Sequence, residues 1–494
     1  MNMRRAFLAA SAALLSSCTV GPDYHAPEAH VPDSFAALPT DGVAAGGGAP
    51  VTQWWTTFGD PVLDSLVQRA VNANPDLRRA EARVREARAR RGIAAADFYP
   101  TVNASGGASR SRFSEDVGDS PGGTSNLFQA GFDAIWEIDV FGGTRRSVEA
   151  AEADVGATIE DRRDVLVTLL AEVARDYVDL RGAQRQTAIA KENLASMTET
   201  LDLTRERLAA GLATDLDVAR QEAQVAATAS TVPAFETDAR LAAHALAVLL
   251  DLPPAALVDE LSAETPIPGS PPRVPVGIPS ELLRRRPDVR RAERQLAAAT
   301  ARIGVAVSDW FPRFSLTGAA GLQSEEARDF FDAKSRTGSI GGFVSWPILD
   351  FGRIRGAVDA ANAREQAAAA DYETAVLTSL REVEDALVAL DKERARHAAL
   401  AAAAAASQRS VSLANQLWAA GRTDFLSVLD AQRALFLAQD AVVQSDRRAA
   451  SDVVALYKAL GGGWEIETEG LGGAERGEAG RREVDLGAPA TQPR

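Results

Sequence analysis

The sequence predicts a mainly α-helical chain that also carries four strands of a membrane β-barrel, laid out on an internally duplicated plan. Three observations predict it. A block of residues recurs at a nearly constant spacing. Each copy holds a proline-free helical run far longer than globular proteins use, and each holds strands with one apolar and one polar face.

The duplication organises everything else. Asn74-Pro75-Asp76-Leu77-Arg78-Arg79-Ala80-Glu81 returns 212 residues later as Arg286-Pro287-Asp288-Val289-Arg290-Arg291-Ala292-Glu293. Asp97-Phe98-Tyr99-Pro100 returns at the same offset as Asp309-Trp310-Phe311-Pro312. Trp136-Glu137-Ile138-Asp139-Val140-Phe141-Gly142 matches Trp346-Pro347-Ile348-Leu349-Asp350-Phe351-Gly352 at 210, and Ala209-Ala210-Gly211 matches Ala419-Ala420-Gly421 at 210. The expected plan is a first unit over 61–252, a Pro-rich link over 253–280 and a second unit over 281–461. An extended segment, 18–60, precedes them, and the charged stretch 462–494 is expected to be disordered for want of core-forming residues.

Each unit opens with a helix rich in Ala, Arg and Glu, about 62–97 and 281–309, which an aromatic-proline pair stops. Strands are expected at about 101–112 and 126–141 in the first unit and 314–323 and 339–350 in the second. Gly/Ser/Asp-rich loops at 114–125 and 324–338 connect them. In 126–141 the even positions are Phe128, Ala130, Phe132, Ala134, Trp136, Ile138 and Val140, while Gln129, Asp133, Glu137 and Asp139 stand at odd ones. That alternation gives one greasy and one wet face. The proline-free runs Gly143–Ala210 and Arg353–Ala420 are each 68 residues. Each spans ~100 Å at the helical rise, against ~11 residues for an ordinary helix. The turns Gly211-Leu212-Ala213-Thr214-Asp215 and Gly421-Arg422-Thr423-Asp424 then reverse the chain into return helices at about 215–251 and 425–460. Gly suits a helix C-terminus and Thr or Asp the next N-cap, so 143–251 and 353–460 read as helical hairpins.

Acid-bearing strands with an aromatic-tipped apolar face suit a barrel with lipid outside and water inside. A soluble sandwich needs more strands than this chain offers, and a coiled-coil rod leaves the strands unexplained. Four strands cannot close a barrel, whose practical minimum is about eight, and an open edge in lipid is not tolerated. The chain must therefore oligomerise, and three copies supply twelve strands.

The N-terminus reads as an address. Arg4 and Arg5 precede a short apolar core, Ala6 to Leu15, so 1–17 resembles a secretory signal too short to span a bilayer. Leu15-Ser16-Ser17-Cys18 resembles the bacterial lipobox, and Cys18, the sole cysteine, is the expected site of lipidation. Thr19 follows in place of the Asp that favours inner-membrane retention, which directs the chain to the outer membrane.

Composition narrows the chemistry. Acidic residues number 68 against 53 basic ones, a charge of −15, which disfavours nucleic acid as a partner. The arginine clusters at 78–91 and 284–294 contain intervening acids and read as paired helix faces. One cysteine and four scattered histidines exclude a disulfide and disfavour a metal centre. No nucleophile-base pair, phosphate loop or cofactor motif stands out, so no enzyme, cofactor or metal is expected.

Cys18-Thr19-Val20-Gly21-Pro22-Asp23-Tyr24, the repeated unit of strands and long helices, and Ala420-Gly421-Arg422-Thr423-Asp424-Phe425-Leu426-Ser427-Val428-Leu429-Asp430-Ala431-Gln432 together resemble the outer-membrane efflux lipoproteins of the TolC/OprM family, NodT-type branch. The resemblance covers roughly 18–461. It implies a homotrimer with a twelve-stranded outer-membrane barrel continued by a periplasmic α-helical barrel. Such a trimer is the passive exit duct for drugs and toxic compounds, docked through a periplasmic adaptor to an inner-membrane RND-type transporter. A lipid-anchored coiled-coil structural protein, or an outer-membrane component of type I secretion, is the alternative. The resemblance further implies adaptor docking at Gly211, Leu212, Gly421 and Arg422, and a constriction at Leu426 and Asp430. Those two lie four apart, hence on one helix face. Ser427 stands where TolC-type channels carry another aspartate. Asp217 matches a position that latches neighbouring helices, and equally suits a local capping arrangement with Thr214.

Overall fold

The computed structural model describes residues 19–28, 31–37, 43–44, 52–114, 123–269 and 274–465; the signal segment, Cys18 and everything beyond 465 lie outside the described residues. In chain order the main elements are α1 (Pro61–Ala73), α2 (Pro75–Ala96), β1 (Thr101–Phe113), β2 (Gly123–Ile138), α3 (Gly143–Ala209) and α4 (Asp215–Leu249). Then come α5 (Pro279–Arg285), α6 (Pro287–Ser308), β3 (Arg313–Ser324), β4 (Arg336–Ser345), α7 (Arg353–Ala419) and α8 (Phe425–Ala459).

Several boundaries differ from the sequence expectation for identifiable reasons. The helices expected over 62–97 and 281–309 are each broken in two, at Pro75 and Pro287. Proline lacks the N–H of the helical ladder, so it starts a helix rather than continuing one. Asn74 fills the first gap: its Oδ1 accepts from the N–H groups of Asp76 and Leu77 at 2.9 and 3.1 Å. Its Nδ2 donates to the carbonyl of Leu249, the last residue of α4, at 2.9 Å. Arg286 does the same at the second break, donating from Nη1 to the carbonyl of Ala459, the last residue of α8, also at 2.9 Å. Both side chains thereby satisfy a carbonyl that the end of a helix leaves orphaned. β2 runs Gly123–Ile138 rather than 126–141, and β4 runs Arg336–Ser345 rather than 339–350. β4 stops before Trp346-Pro347, where proline has no N–H to give a ladder.

The chain divides into two compact units. The first comprises residues 1–28, 82–159 and 291–374. Its centre is an antiparallel sheet in the order β1-β2-β3-β4. Register places Val102, Ala134, Gly318 and Ile340 in one cross-strand row. With Phe132, Leu316 and Val344 they form the apolar face, while Asn103, Asp133, Glu137, Ser315 and Gln323 share the opposite one. On that wet face Gly131 stands opposite Gly321. A Cβ on Gly321 would lie 2.5 Å from the Ala130 carbonyl oxygen, so the two strands meet there as bare backbone.

The segment that follows Cys18 is tied to the foot of this sheet. Val20 N–H donates to the Phe141 carbonyl at 3.1 Å. The buried Arg146 guanidinium donates to the carbonyls of Val20 and Gly21 at 3.1 and 3.3 Å and pairs with Asp23 at 2.6 Å. Gly21 packs so closely that a Cβ would sit 2.4 Å from the Cα of Gly304.

The second unit comprises residues 29–81, 160–290 and 375–494. Its core joins Leu63 and Leu66 of α1, Leu166, Leu170 and Tyr177 of α3, and Tyr457 of α8. Trp54, from the segment expected to be extended, stacks on Tyr457 with ring centroids 5.2 Å apart. Leu257 and Leu261, from the expected link, are fully buried. Within the stretch expected to be disordered, Trp464 is held in the fold: it lies 4.4 Å beneath the Arg163 guanidinium, and its indole N–H donates to the Arg285 carbonyl at 3.0 Å, while 466–494 lie outside the described residues. Among the described residues no helix is long and apolar enough to cross a membrane.

Candidate functional site at the helical hairpin tips

Two turns in the second unit carry the residues of interest. At the first, α3 ends on Gly211, whose φ of +71° lies in the left-handed region that glycine enters freely. Gly211 N–H donates to the Leu208 carbonyl at 2.9 Å, and Leu212 N–H to the Arg207 carbonyl at 2.7 Å. The second tip repeats this: Gly421, at φ +68°, donates to Trp418 at 2.9 Å and Arg422 to Leu417 at 2.8 Å. These paired bonds are the Schellman closure that satisfies the last carbonyls of a helix. Neither glycine has an atom within 4 Å of where a Cβ would stand, so both turns face open space.

Each return helix starts with a side-chain cap, which at α4 is a reciprocal box. Thr214 caps α4: its hydroxyl accepts from Asp217 N–H at 3.3 Å, while the Asp217 carboxylate accepts from Thr214 N–H at 3.0 Å and from its hydroxyl at 2.7 Å. Asp424 caps α8, accepting from Ser427 N–H at 3.1 Å and from the Ser427 hydroxyl at 2.7 Å. Those two bonds to Ser427, with the charge of Arg220, hold the Asp424 carboxyl below its ordinary pKa. Carboxylates in the first turn also complement the helix dipole. The structure thus engages Asp217 in the local capping arrangement.

Leu426 and Asp430 lie on the exposed stripe of α8, away from Phe425, Val428 and Leu429, which bury themselves against Trp418. Leu212, Leu216 and Leu426 are 68%, 57% and 40% exposed, so both tips present leucine to their surroundings. Leu216 stands in the first turn of α4 as Leu426 stands in that of α8, at the 210-residue offset. The sequence reading passed over it; the offset alone would have found it.

The two hairpins are bound together just behind the tips. The Arg207 guanidinium lies 4.6 Å over the Trp418 ring, an attraction of about 0.5–2 kcal/mol depending on desolvation. The buried Gln432 donates across the hairpins to the Thr200 hydroxyl at 2.9 Å, while within the first hairpin the buried Gln221 donates to the Met197 carbonyl at 2.8 Å. Sequence periodicity gives no sign of these glutamines, since a polar residue facing another helix looks like one facing water. Among the described residues no cluster of His, Cys, Asp and Glu is arranged to hold a metal ion. What the tips offer is a tight glycine reversal, exposed leucine and carboxylates in the first turns of the return helices.

The family model for outer membrane efflux proteins matches residues 66–251 and 278–462. The chain is 37% identical to the pyoverdine export outer membrane protein OpmQ of Pseudomonas aeruginosa, over 95% of this chain and 99% of that one. It is 33% identical to nodulation protein T of Rhizobium leguminosarum bv. trifolii, over 91% and 96%. The solved structure of the outer-membrane channel OprN superposes with a TM-score of 0.86 at 37% identity, covering 91% of this chain and all of that one.

Proposed function

Because the chain belongs to the outer membrane efflux protein family, a family of non-enzymatic transport ducts in the outer membrane, we propose that it assembles as a homotrimer whose twelve strands close one barrel. Through that barrel small molecules such as drugs and toxic compounds leave passively. One observation carries this reading. Among the described residues a single chain holds a four-stranded sheet with an apolar face and two unpaired edges, joined to two helices of 67 residues. Unpaired edges are untenable in hydrocarbon, and three copies remove them all.

In this reading Cys18 carries lipid and sets the chain in the outer membrane. The tips at Gly211, Leu212, Gly421 and Arg422 meet a periplasmic adaptor, which joins the duct to an inner-membrane RND-type transporter. Leu426 and Asp430, brought together three-fold around an axis, make a greasy ring beside a carboxylate ring. Like charges so placed resist sharing a small space. Asp217 supports the constriction by holding the first turn of α4 rigid. Selectivity lies with the transporter, and the duct needs no substrate pocket. Two measurements test the reading together. Light scattering of the purified protein in detergent should give a trimer. Loss of the chain should sensitise cells to exported compounds, with resistance restored by the intact chain. A stable monomer, or unchanged sensitivity, contradicts it.

A further inference from the structure

The loop end of the sheet carries arginine on its apolar face. Val102, Ala104, Gly106, Ala108, Arg110 and Arg112 alternate along one side of β1, the side shared by Ala134, Gly318 and Ile340. Ser109 and Ser111, between the arginines, fall on the wet side with Asn103. β4 repeats the pattern at the other edge: Val344, Gly342, Ile340, Gly338 and Arg336 share the apolar face, and Thr337 falls on the wet one. Cations thus stand on the greasy face and hydroxyls on the wet one, the reverse of what hydration alone would select.

Their distance along the strands is that of a membrane. Val102 to Arg110 and Val344 to Arg336 are nine residues each, counting both ends, and a tilted strand crosses a bilayer core in ~9–11. The long helices α3 and α7 follow β2 and β4 at the opposite end, so the arginines close the apolar band on the side away from them. All three are exposed, and among the described residues no carboxylate pairs with any of them. Their cross-strand neighbours are uncharged: Asn126 opposite Arg110, Thr124 opposite Arg112 and Leu322 opposite Arg336. Two nearby arginines are compensated, Arg313 by Asp309 at the foot of β3 and Arg328 by Glu326 at 2.6 Å in the β3–β4 loop. Phe331 of that loop is 85% exposed and adds an apolar group at the same end.

We propose that Arg110, Arg112 and Arg336 bind the phosphates of a lipid headgroup in the outer leaflet. This rests on the barrel reading above, which turns the apolar face to lipid and sets the β4 edge of one copy beside the β1 edge of the next. The three arginines then share one stretch of outer surface at each junction. A guanidinium presents a planar fork of donors that matches phosphate oxygens two at a time. Its aliphatic stem lies along the apolar band while its head reaches the headgroup layer. A soluble anion would leave the apolar surface below the arginines unused, and a zwitterionic lipid would bring no net charge. Each arginine near an anionic lipid surface contributes about fivefold in affinity.

Lipid retention tests it. Trimer reconstituted in vesicles of phosphatidylcholine and diphosphoryl lipid A, then extracted and analysed by native mass spectrometry, should keep lipid A bound. Arg110→Gln/Arg112→Gln/Arg336→Gln should keep about tenfold less, the scale of one lost charge-assisted bond. Arg328→Gln, which removes a charge already balanced by Glu326 and Asp329, should keep as much as the wild type. Monophosphoryl lipid A reads the same contact without a substitution, and the wild type should keep severalfold less of it. Excess inorganic phosphate should not displace the lipid. Equal retention by triple variant and wild type, equal loss in Arg328→Gln, or equal retention of the two lipids overturns the site. Displacement by phosphate overturns the lipid as its ligand. All these outcomes are read on inserted trimer and leave the barrel standing, whereas a wild-type protein that stays monomeric or outside the vesicles overturns the barrel reading itself.

Discussion

Ser427 donates its hydroxyl to the Asp424 carboxylate at 2.7 Å, and Thr214 donates to Asp217 at the same 2.7 Å with the roles of cap and third residue exchanged. Position 214 corresponds to 424 and 217 to 427 at the repeat offset, so one bond has been kept while its two partners traded places. A box built this way needs both members. Asp217→Ala removes the carboxylate that accepts from the Thr214 N–H and hydroxyl, and should loosen the first tip by ~1 kcal/mol. Amide exchange over 211–218 should then speed up severalfold, with exchange over 421–428 unchanged. Equal exchange in variant and wild type would mean that the box does not hold the turn.

The proposed docking is separable from folding because the two tip glycines face open space. A left-handed conformation costs a non-glycine residue about 1–2 kcal/mol, which a large assembled protein tolerates at two exposed turns. Gly211→Leu with Gly421→Leu should therefore leave trimer level and membrane location normal while abolishing efflux. Retained efflux, or loss of the trimer, removes the support for adaptor contact at Gly211, Leu212, Gly421 and Arg422.

Burial in α3 raises the Asp176 carboxyl from 3.8 to about 6, reinforced by Asp179 and Glu172 and opposed by Arg175. The folded state then holds a proton that the unfolded chain has already released between those values, so this group makes stability fall as pH rises from about 4 to 6. Asp176→Asn should leave thermal stability at pH 3.5 unchanged and raise it at pH 8. A variant with the same advantage at both pH values would show that ionisation is not the cause.

The proposed lipid anchor at Cys18 makes a direct prediction. Palmitate should label the wild-type protein and not Cys18→Ser, and the variant should still form trimers, because the proposed barrel would hold the membrane by itself. The Arg146 bonds to Val20, Gly21 and Asp23 keep the lead in place without the lipid. Equal labelling of both proteins contradicts lipidation at Cys18.

Much of the strand and helix layout was legible because repetition and period are properties of sequence alone. The alternation around Phe132 and Asp133, and the glycine turns at 211 and 421, carry their own signals. Tertiary demands were invisible. Asn74 and Arg286 look like ordinary polar residues before a proline until the carbonyls of Leu249 and Ala459 are seen waiting for them. Trp54 and Trp464 read as parts of loose termini because their partners, Tyr457 and Arg163, lie hundreds of residues away. At the tips the leucines and carboxylates were readable as exposed, but the Arg207–Trp418 and Gln432–Thr200 contacts that stiffen them were not. A helix pattern does not say which neighbour it will meet.

The central claim is that this chain builds a passive duct narrowed at the tips. Purified trimer added to a planar bilayer should produce stepwise conductance increments. Leu426→Ala with Asp430→Ala should raise the resting conductance of each increment severalfold and sensitise cells to large antibiotics. Trimer that inserts and yields no steps would contradict the duct, and steps of unchanged size in the double variant would place its constriction away from Leu426 and Asp430.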